Sequence, residues 1–290
     1  MIPRLAAAQA CCAGSGAVTP GRLGLHDDAL VALQLKATHT YATFDRNGHY
    51  ATPPSGSSEQ GFEQDLIGSL RLPVIDRAQV AVLVPFVQTR RSARGDSEFG
   101  GGFGDINLSA RYDFLYAGQR RWIPGIAALA GVTFPSGRAP ESATNALATD
   151  ATGVGAFQGN AGIAIEQSFG PWLVTLYGIV AKRAARTANG IRSVLGTQWT
   201  ALGSVAYTFP GEYALALSAS YTGEGDAETA GIDAPGTARR TTLLGLTGVL
   251  PLTDHLRLQG GLSGNPPVPS LGKNQPATIG VLVTGVYAWY

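Results

Sequence analysis

Charge is scarce in this 290-residue chain. Asp, Glu, Lys and Arg make up 14% of it, against roughly 25% in a typical soluble domain. Methionine occurs only as Met1, and the two cysteines are the neighbours Cys11 and Cys12. No stretch reaches the ~18 consecutive apolar residues of a membrane-spanning helix. The longest largely apolar run, Trp122 to Phe134, is interrupted by Pro124, Gly125 and Gly131. A net charge of +1 provides no basic surface for a phosphate backbone, so nucleic acid is not an expected partner. Thirty-nine glycines weigh against an all-helical fold, because each interior glycine costs about 1 kcal/mol relative to alanine. With 44% hydrophobic residues and little net charge, the chain is not of the disordered class either.

The N-terminus has a different character. Arg4 precedes an alanine-rich stretch, and Ala8-Gln9-Ala10 has the small-x-small form of a signal-peptidase site. The apolar part is short for a secretory signal. Residues 1–28 are therefore read as a signal remnant, its upstream part missing, followed by a periplasmic segment; a coincidental alanine-rich terminus is the alternative. Cys11 and Cys12 cannot easily meet disulfide geometry with each other. Lipid attachment at Cys11 and a plain processed terminus both remain open.

From Leu30 onward the dominant signal is alternation with period two, as expected of strands with two unlike faces. In Asp105 to Phe114 it is unbroken: Asp105, Asn107, Ser109, Arg111 and Asp113 on one face, Ile106, Leu108, Ala110, Tyr112 and Phe114 on the other. The pattern returns in Phe157 to Phe169 and in His255 to Ser263. Twelve strands are predicted, over 30–44, 62–74, 78–90, 102–115, 122–134, 156–169, 172–183, 197–209, 213–222, 239–252, 255–263 and 277–290. Most exceed the 5 to 6 residues of a globular strand and match the 9 to 11 of a tilted strand crossing a bilayer.

The connections alternate too. Short ones at 75–77, 116–121, 170–171, 210–212 and 253–254 interleave with long polar or glycine-rich ones at 45–61, 91–101, 135–155, 184–196, 223–238 and 264–276. An up-and-down barrel with tight turns on one side of a membrane has this order, an even strand number and both termini on the tight-turn side. Aromatic residues gather near both predicted rims, with Trp122, Trp172 and Tyr213 at one and Phe44, Phe62, Phe103, Phe134 and Trp199 at the other. Such girdles mark two membrane–water interfaces. The expected fold is thus all-β: a transmembrane antiparallel up-and-down β-barrel of about twelve strands, residues 29–290, in a bacterial outer membrane. A soluble β-protein shares the alternation but not the strand lengths, loop order or girdles.

If the apolar face meets lipid, the other lines the lumen. It would carry Gln34, Lys36, Glu63, Asp65 and Arg71 on the first strands, then Asp105, Asn107, Arg111 and Asp113. Gln158, Asn160, Glu166 and Arg183 follow, with His255, Arg257 and Gln259 near the C-terminus. The signs are mixed, with no single-sign ring of the kind that builds ion selectivity. These groups either pair across the lumen or touch a permeant. No catalytic constellation is visible: there is no Gly-x-Ser-x-Gly elbow, His-Glu-x-x-His or Walker loop. Glu224, Asp226 and Glu228 start with calcium-loop spacing, but Thr229 and Pro235 replace the required glycine and glutamate. No enzyme activity, cofactor or metal is expected. The expected partners are outer-membrane lipid, an unidentified small permeant and the barrel-assembly machinery, reached through the last strand ending Tyr287-Ala288-Trp289-Tyr290.

Gly102-Phe103-Gly104-Asp105-Ile106-Asn107-Leu108-Ser109-Ala110-Arg111-Tyr112, followed by an apolar strand and Pro135-Ser136-Gly137, resembles a stretch of the outer-membrane family named after the phenol meta-degradation pathway. The resemblance covers about 102–183. It implies an outer-membrane channel or transporter for small, sometimes aromatic, compounds, and carries over no binding residues. A non-conducting barrel with a structural or surface-interaction role is the alternative.

Overall fold

The computed structural model describes residues 21–290 except Asp76, Arg121 and Asn189. The Ala8-Gln9-Ala10 site and Cys11 lie outside the described residues. Twelve long strands form the wall. They are β1 (Ala29–Phe44), β2 (Ser58–Arg71), β3 (Ala78–Ala93), β4 (Ile106–Leu115), β5 (Gly125–Phe134) and β6 (Gln158–Phe169). β7 (Trp172–Arg183), β8 (Gln198–Thr208), β9 (Ala214–Glu224), β10 (Arg239–Pro251), β11 (Leu256–Gly264) and β12 (Gln275–Trp289) complete it. Each pairs antiparallel with its sequence neighbours. β12 returns to β1 in a ladder from Ala29↔Trp289 to Phe44↔Gln275, and the sheet closes on itself.

Closure decides which face is which. Along β1, Val31, Leu33 and Leu35 are 45%, 52% and 49% exposed, while Leu30 and Ala32, which alternate with them, are each 4% exposed. Leu108, Ile163, Val180, Leu217, Leu262 and Ile279 continue the exposed belt around the wall. Asp65, Arg111, Asp113, Glu166 and Arg257, on the opposite face, are buried. A polar interior inside an exposed apolar belt is the arrangement of a barrel solvated by lipid, where every backbone N–H and C=O must be paired within the sheet.

Several details depart from expectation. The segment 91–101 is not a long loop. Arg94 and Gly95 form a two-residue turn with φ of 54° and 95°, the positive angles that a type I′ hairpin requires at both central positions. β3 therefore runs on into Asp96–Phe103, paired from Ala93↔Asp96 to Phe86↔Phe103. The strict long–short alternation fails there, because Gly100 to Gly102 lie in a strand and not in a loop. Between this hairpin and β4 the ladder breaks opposite Pro85, which has no N–H to donate. The loops 184–196 and 223–238 are also structured, contributing Arg186–Ala188, Ile191–Val194, Ala227–Thr229 and Ile232–Ala234 to a small four-stranded sheet of their own. Trp122 precedes its strand, which begins at Gly125. Phe44 is buried with its ring edge-on to Tyr50 at 5.6 Å, so it does not belong to the lipid-facing girdle. His255 lies outside the lumen, at the tight-turn rim, stacked 5.8 Å from Tyr287.

Opposite facing of adjacent residues on β4 gives a direct test. Leu108→Arg places a cation in the lipid-facing belt and should cost about 2–4 kcal/mol, whereas Asn107→Arg, facing the interior, should be mild. Urea unfolding of barrels refolded into lipid vesicles measures both, and equal losses would contradict the assignment of faces.

Candidate functional site: the barrel lumen

Twelve strands enclose more width than the eight-stranded barrels whose side chains fill the interior. Here the lumen holds a cavity of about 570 Å³, within the usual range for small-molecule sites. Its wall mixes amides and hydroxyls, among them Gln79, Asn107, Asn160, Thr200, Thr222 and Asn265, with a larger share of apolar surface. Leu129, Ile179 and Leu243 add apolar area, and the charged residues in the lining are Arg22 and Arg111. Asn107 donates to Thr133 at 2.9 Å, and Asn265 accepts from the Thr278 backbone N–H at 2.8 Å, so part of this polar surface also ties strands together.

The tight-turn end of the cavity is crossed by the chain's own N-terminal segment. Leu23 is buried against Leu30, Ala32, Ile67 and Val286. The Arg71 guanidinium donates to the carbonyls of Gly24, Leu25 and Asp27 at 2.9–3.2 Å. Arg257 donates to both oxygens of Asp27 at 2.7 and 2.8 Å, and these side chains are 4% and 1% exposed. Within the lumen, Gly21 adopts φ +78°, and a Cβ there would lie 2.2 Å from Ser69 Oγ. Only glycine suits both that angle and that approach.

Arg22 then reaches across the barrel to an ion pair with Glu166 on β6, on the far side from β1. Glu166, 2% exposed, also accepts from Arg111 Nη1 at 3.2 Å and from the Tyr177 hydroxyl at 2.9 Å. Arg111 in turn donates to Asp113, at 2.7 Å from Nη2 and 3.0 Å from Nε. Arg22, Arg111, Asp113 and Glu166 thus form one cluster of two cations and two anions. Burying such charges is tolerable only when they are paired and hydrogen-bonded, as these are.

The remaining candidates are placed as follows. Lys36 pairs with Glu63 at 3.1 Å across β1 and β2, and Gln34 donates to Asp65 at 2.8 Å. Arg183 pairs with Glu224 at 2.9 Å near the outer end, beside Gln158 and Gln198, which takes Glu224 out of any cation loop. Asp226 is occupied by the Ala238 backbone N–H at 2.7 Å. Asp105 does not join the charge cluster. Its carboxylate accepts from the backbone N–H groups of Gly137 at 2.9 Å and Val154 at 2.6 Å, clamping both ends of the 135–155 loop. Sequence reasoning missed Arg22, Asp27 and Tyr177. Arg22 and Asp27 lie in a non-periodic segment, and Tyr177 reads as one more aromatic in a strand.

The mouth loop is organised by a second carboxylate, Asp150. The Thr144 backbone N–H donates to it at 2.9 Å and the Thr144 hydroxyl at 2.7 Å, with Arg138 and the Asn145 N–H alongside. Led by the Thr144 N–H, these donors hold the Asp150 carboxyl well below the usual carboxylate range. Glu98 and Arg91, on the hairpin extending β3, fix Leu147 at 2.8 and 2.9 Å through its N–H and C=O. Beside this loop a pocket of about 620 Å³ opens between Phe103, Arg138, Glu141 and Arg186. Among the described residues, no group of three His, Cys, Asp or Glu side chains is placed to hold a metal ion.

The backbone is similar to that of the COG4313 outer membrane channel from Pseudomonas putida F1, with a TM-score of 0.76 and 17% identity over 93% of this chain and 97% of that one. The fold is that of an outer-membrane β-barrel. Looser matches are the NanC porin (TM-score 0.48, 10% identity, 88% of this chain, 100% of that one) and the translocator domain of autotransporter NalP from Neisseria meningitidis (0.47, 12%, 90%, 88%). No protein-family model and no curated protein sequence matches the chain.

Asp150 makes the mouth loop pH-sensitive in a defined direction. A carboxylate held below its unfolded value contributes fully above the ordinary range near pH 4. Its contribution declines as pH falls below that range and is gone under the lowered value. Hydrogen exchange should therefore show Asp150→Asn reducing protection of the Thr144 and Asn145 amides at pH 6, with the difference shrinking toward pH 2. Equal protection in both proteins at pH 6 would contradict this role.

Proposed function

We propose that the chain is a bacterial outer-membrane channel for the passive passage of small solutes, with no catalytic chemistry and no cofactor. The observation that carries this reading is the cavity of about 570 Å³, with side-chain amides and hydroxyls in its wall, inside a closed, lipid-facing barrel. A barrel serving only as an anchor has no need of a cavity of this size. The resemblance of 102–112 and 135–137 to the phenol-pathway family extends the proposal to aromatic compounds, and Leu129, Ile179 and Leu243 offer them apolar contact. The outward Tyr287 and Trp289 of the closing strand suit contact with lipid and recognition by the assembly machinery.

In this reading the segment around Leu23 is the constriction on the tight-turn side, and solutes pass when it shifts. Leu23→Asp places a carboxylate among Leu30, Ala32 and Ile67 and should loosen the segment while leaving the wall intact. Planar-bilayer recordings of the full chain should show discrete channels, with mean conductance raised several-fold by Leu23→Asp. A barrel that is folded by heat-modifiable gel mobility yet silent in both forms would remove the channel reading in favour of a non-conducting role.

A further inference from the structure

Among the described residues, most of the lumen's charges are matched within pairs or one cluster. The exception is Asp65, whose hydrogen bond comes from the neutral Gln34 amide. The charged side chains that line the cavity, Arg22 and Arg111, both belong to that cluster. Arg22 and Arg111 are countered by Glu166 and Asp113 within one hydrogen-bonded cluster. Lys36 is matched by Glu63, Arg183 by Glu224 and Arg257 by Asp27. Around the cluster, the cavity is lined by amides and hydroxyls interspersed with apolar side chains such as Leu129, Ile179 and Leu243. A solute in the cavity meets hydrogen-bond donors and acceptors, apolar side chains and charges that are already paired, and such a lining offers an ion little in exchange for its hydration shell.

The balance at the constriction depends on the N-terminal segment. The wall alone contributes Arg111, Asp113 and Glu166, two anions against one cation. Arg22 supplies the missing positive charge, and it does so at the level where the segment crosses the lumen. We propose that the channel selects small uncharged, hydrogen-bonding solutes over ions of either sign, and that Arg22 sets this neutrality by cancelling the surplus carboxylate at the constriction. This rests on the channel reading and names the solute class of the same lumen.

The two halves of the pair give opposite signatures. Arg22→Gln leaves one uncompensated carboxylate and Glu166→Gln leaves one uncompensated guanidinium, while both glutamines still hydrogen-bond. In planar bilayers under a tenfold KCl gradient, the wild type should reverse near zero. Arg22→Gln should shift the reversal potential toward cation preference, and Glu166→Gln toward anion preference. In liposome-swelling assays, erythritol should enter the wild type several-fold faster than glutamate or lysine. A strongly ion-selective wild type, faster entry of a charged solute, or variants shifting together or not at all would overturn the inference while leaving a channel. Absence of both current and swelling in every folded sample would remove the channel reading and this one with it. Heat-modifiable mobility of each variant, confirming the folded barrel, is the control.

Discussion

The ladder between β1 and β12 is the interaction on which everything else depends. In hydrocarbon an unpaired backbone N–H or C=O costs several kcal/mol, so an open sheet edge at membrane depth is not tolerated. Joining Ala29 through Phe44 to Trp289 through Gln275 removes both edges at once. It also forces alternate side chains into a shared interior, so each strand must be apolar outside and compatible with its neighbours inside. The low charge of the chain follows from this geometry. Much of its surface faces lipid, and charge is confined to the interior and the ends.

An interior of twelve strands is too wide to be filled by wall side chains alone, and the charges within it find partners by different means. Away from the tight-turn end, nearby strands suffice, as with Lys36 and Glu63 on adjacent strands or Arg183 and Glu224 on the two strands that flank β8. At the tight-turn end the wall does not balance itself. Arg257 is completed by Asp27, and Glu166 by Arg22, both from the segment that precedes β1. One short stretch thus contributes a cation to one side of the lumen and an anion to the other. Its docking is both an electrostatic completion of the wall and a narrowing of the lumen.

The strand pattern was readable because closure imposes period two on every wall segment; hence Asp105 to Phe114 and Phe157 to Phe169 could be assigned by face. The hairpin at Arg94-Gly95 was not, because its glycine-rich return strand, Gly100 to Gly102, has no side chains to alternate and looks like a loop. The N-terminal plug was illegible for a different reason. Its partners Glu166 and Arg257 are 144 and 230 residues away in sequence, and pairing at such separations leaves no local periodicity. Asp105 was assigned to the lumen by alternation alone. The break in the ladder opposite Pro85 detaches it from that rule and turns its carboxylate toward the loop.

That same break gives the shared motif a physical meaning. Gly104 donates its N–H to the Pro85 carbonyl at 2.8 Å, and a Cβ on it would lie 2.9 Å from the proline ring. Asp105 then reaches Gly137, the glycine of the Pro-Ser-Gly element, while the Ser136 hydroxyl bridges the Ile106 N–H and the Gly104 carbonyl at 2.9 Å each. The two halves of the motif bind each other. A Cβ at Gly153 would fall 2.3 Å from Asp105 Oδ1, which closes the remaining side of the clamp. Gly104, Asp105, Ser136 and Gly137 are therefore spent on fixing the mouth loop to the start of β4, while Asn107, Ser109 and Arg111 of the same stretch line the lumen. The clamp and the cavity are thus built from separate parts of the sequence: the glycines and Asp105 hold the loop to the strand start, and the amides and hydroxyls further along the strands line the interior, so either can vary without the other.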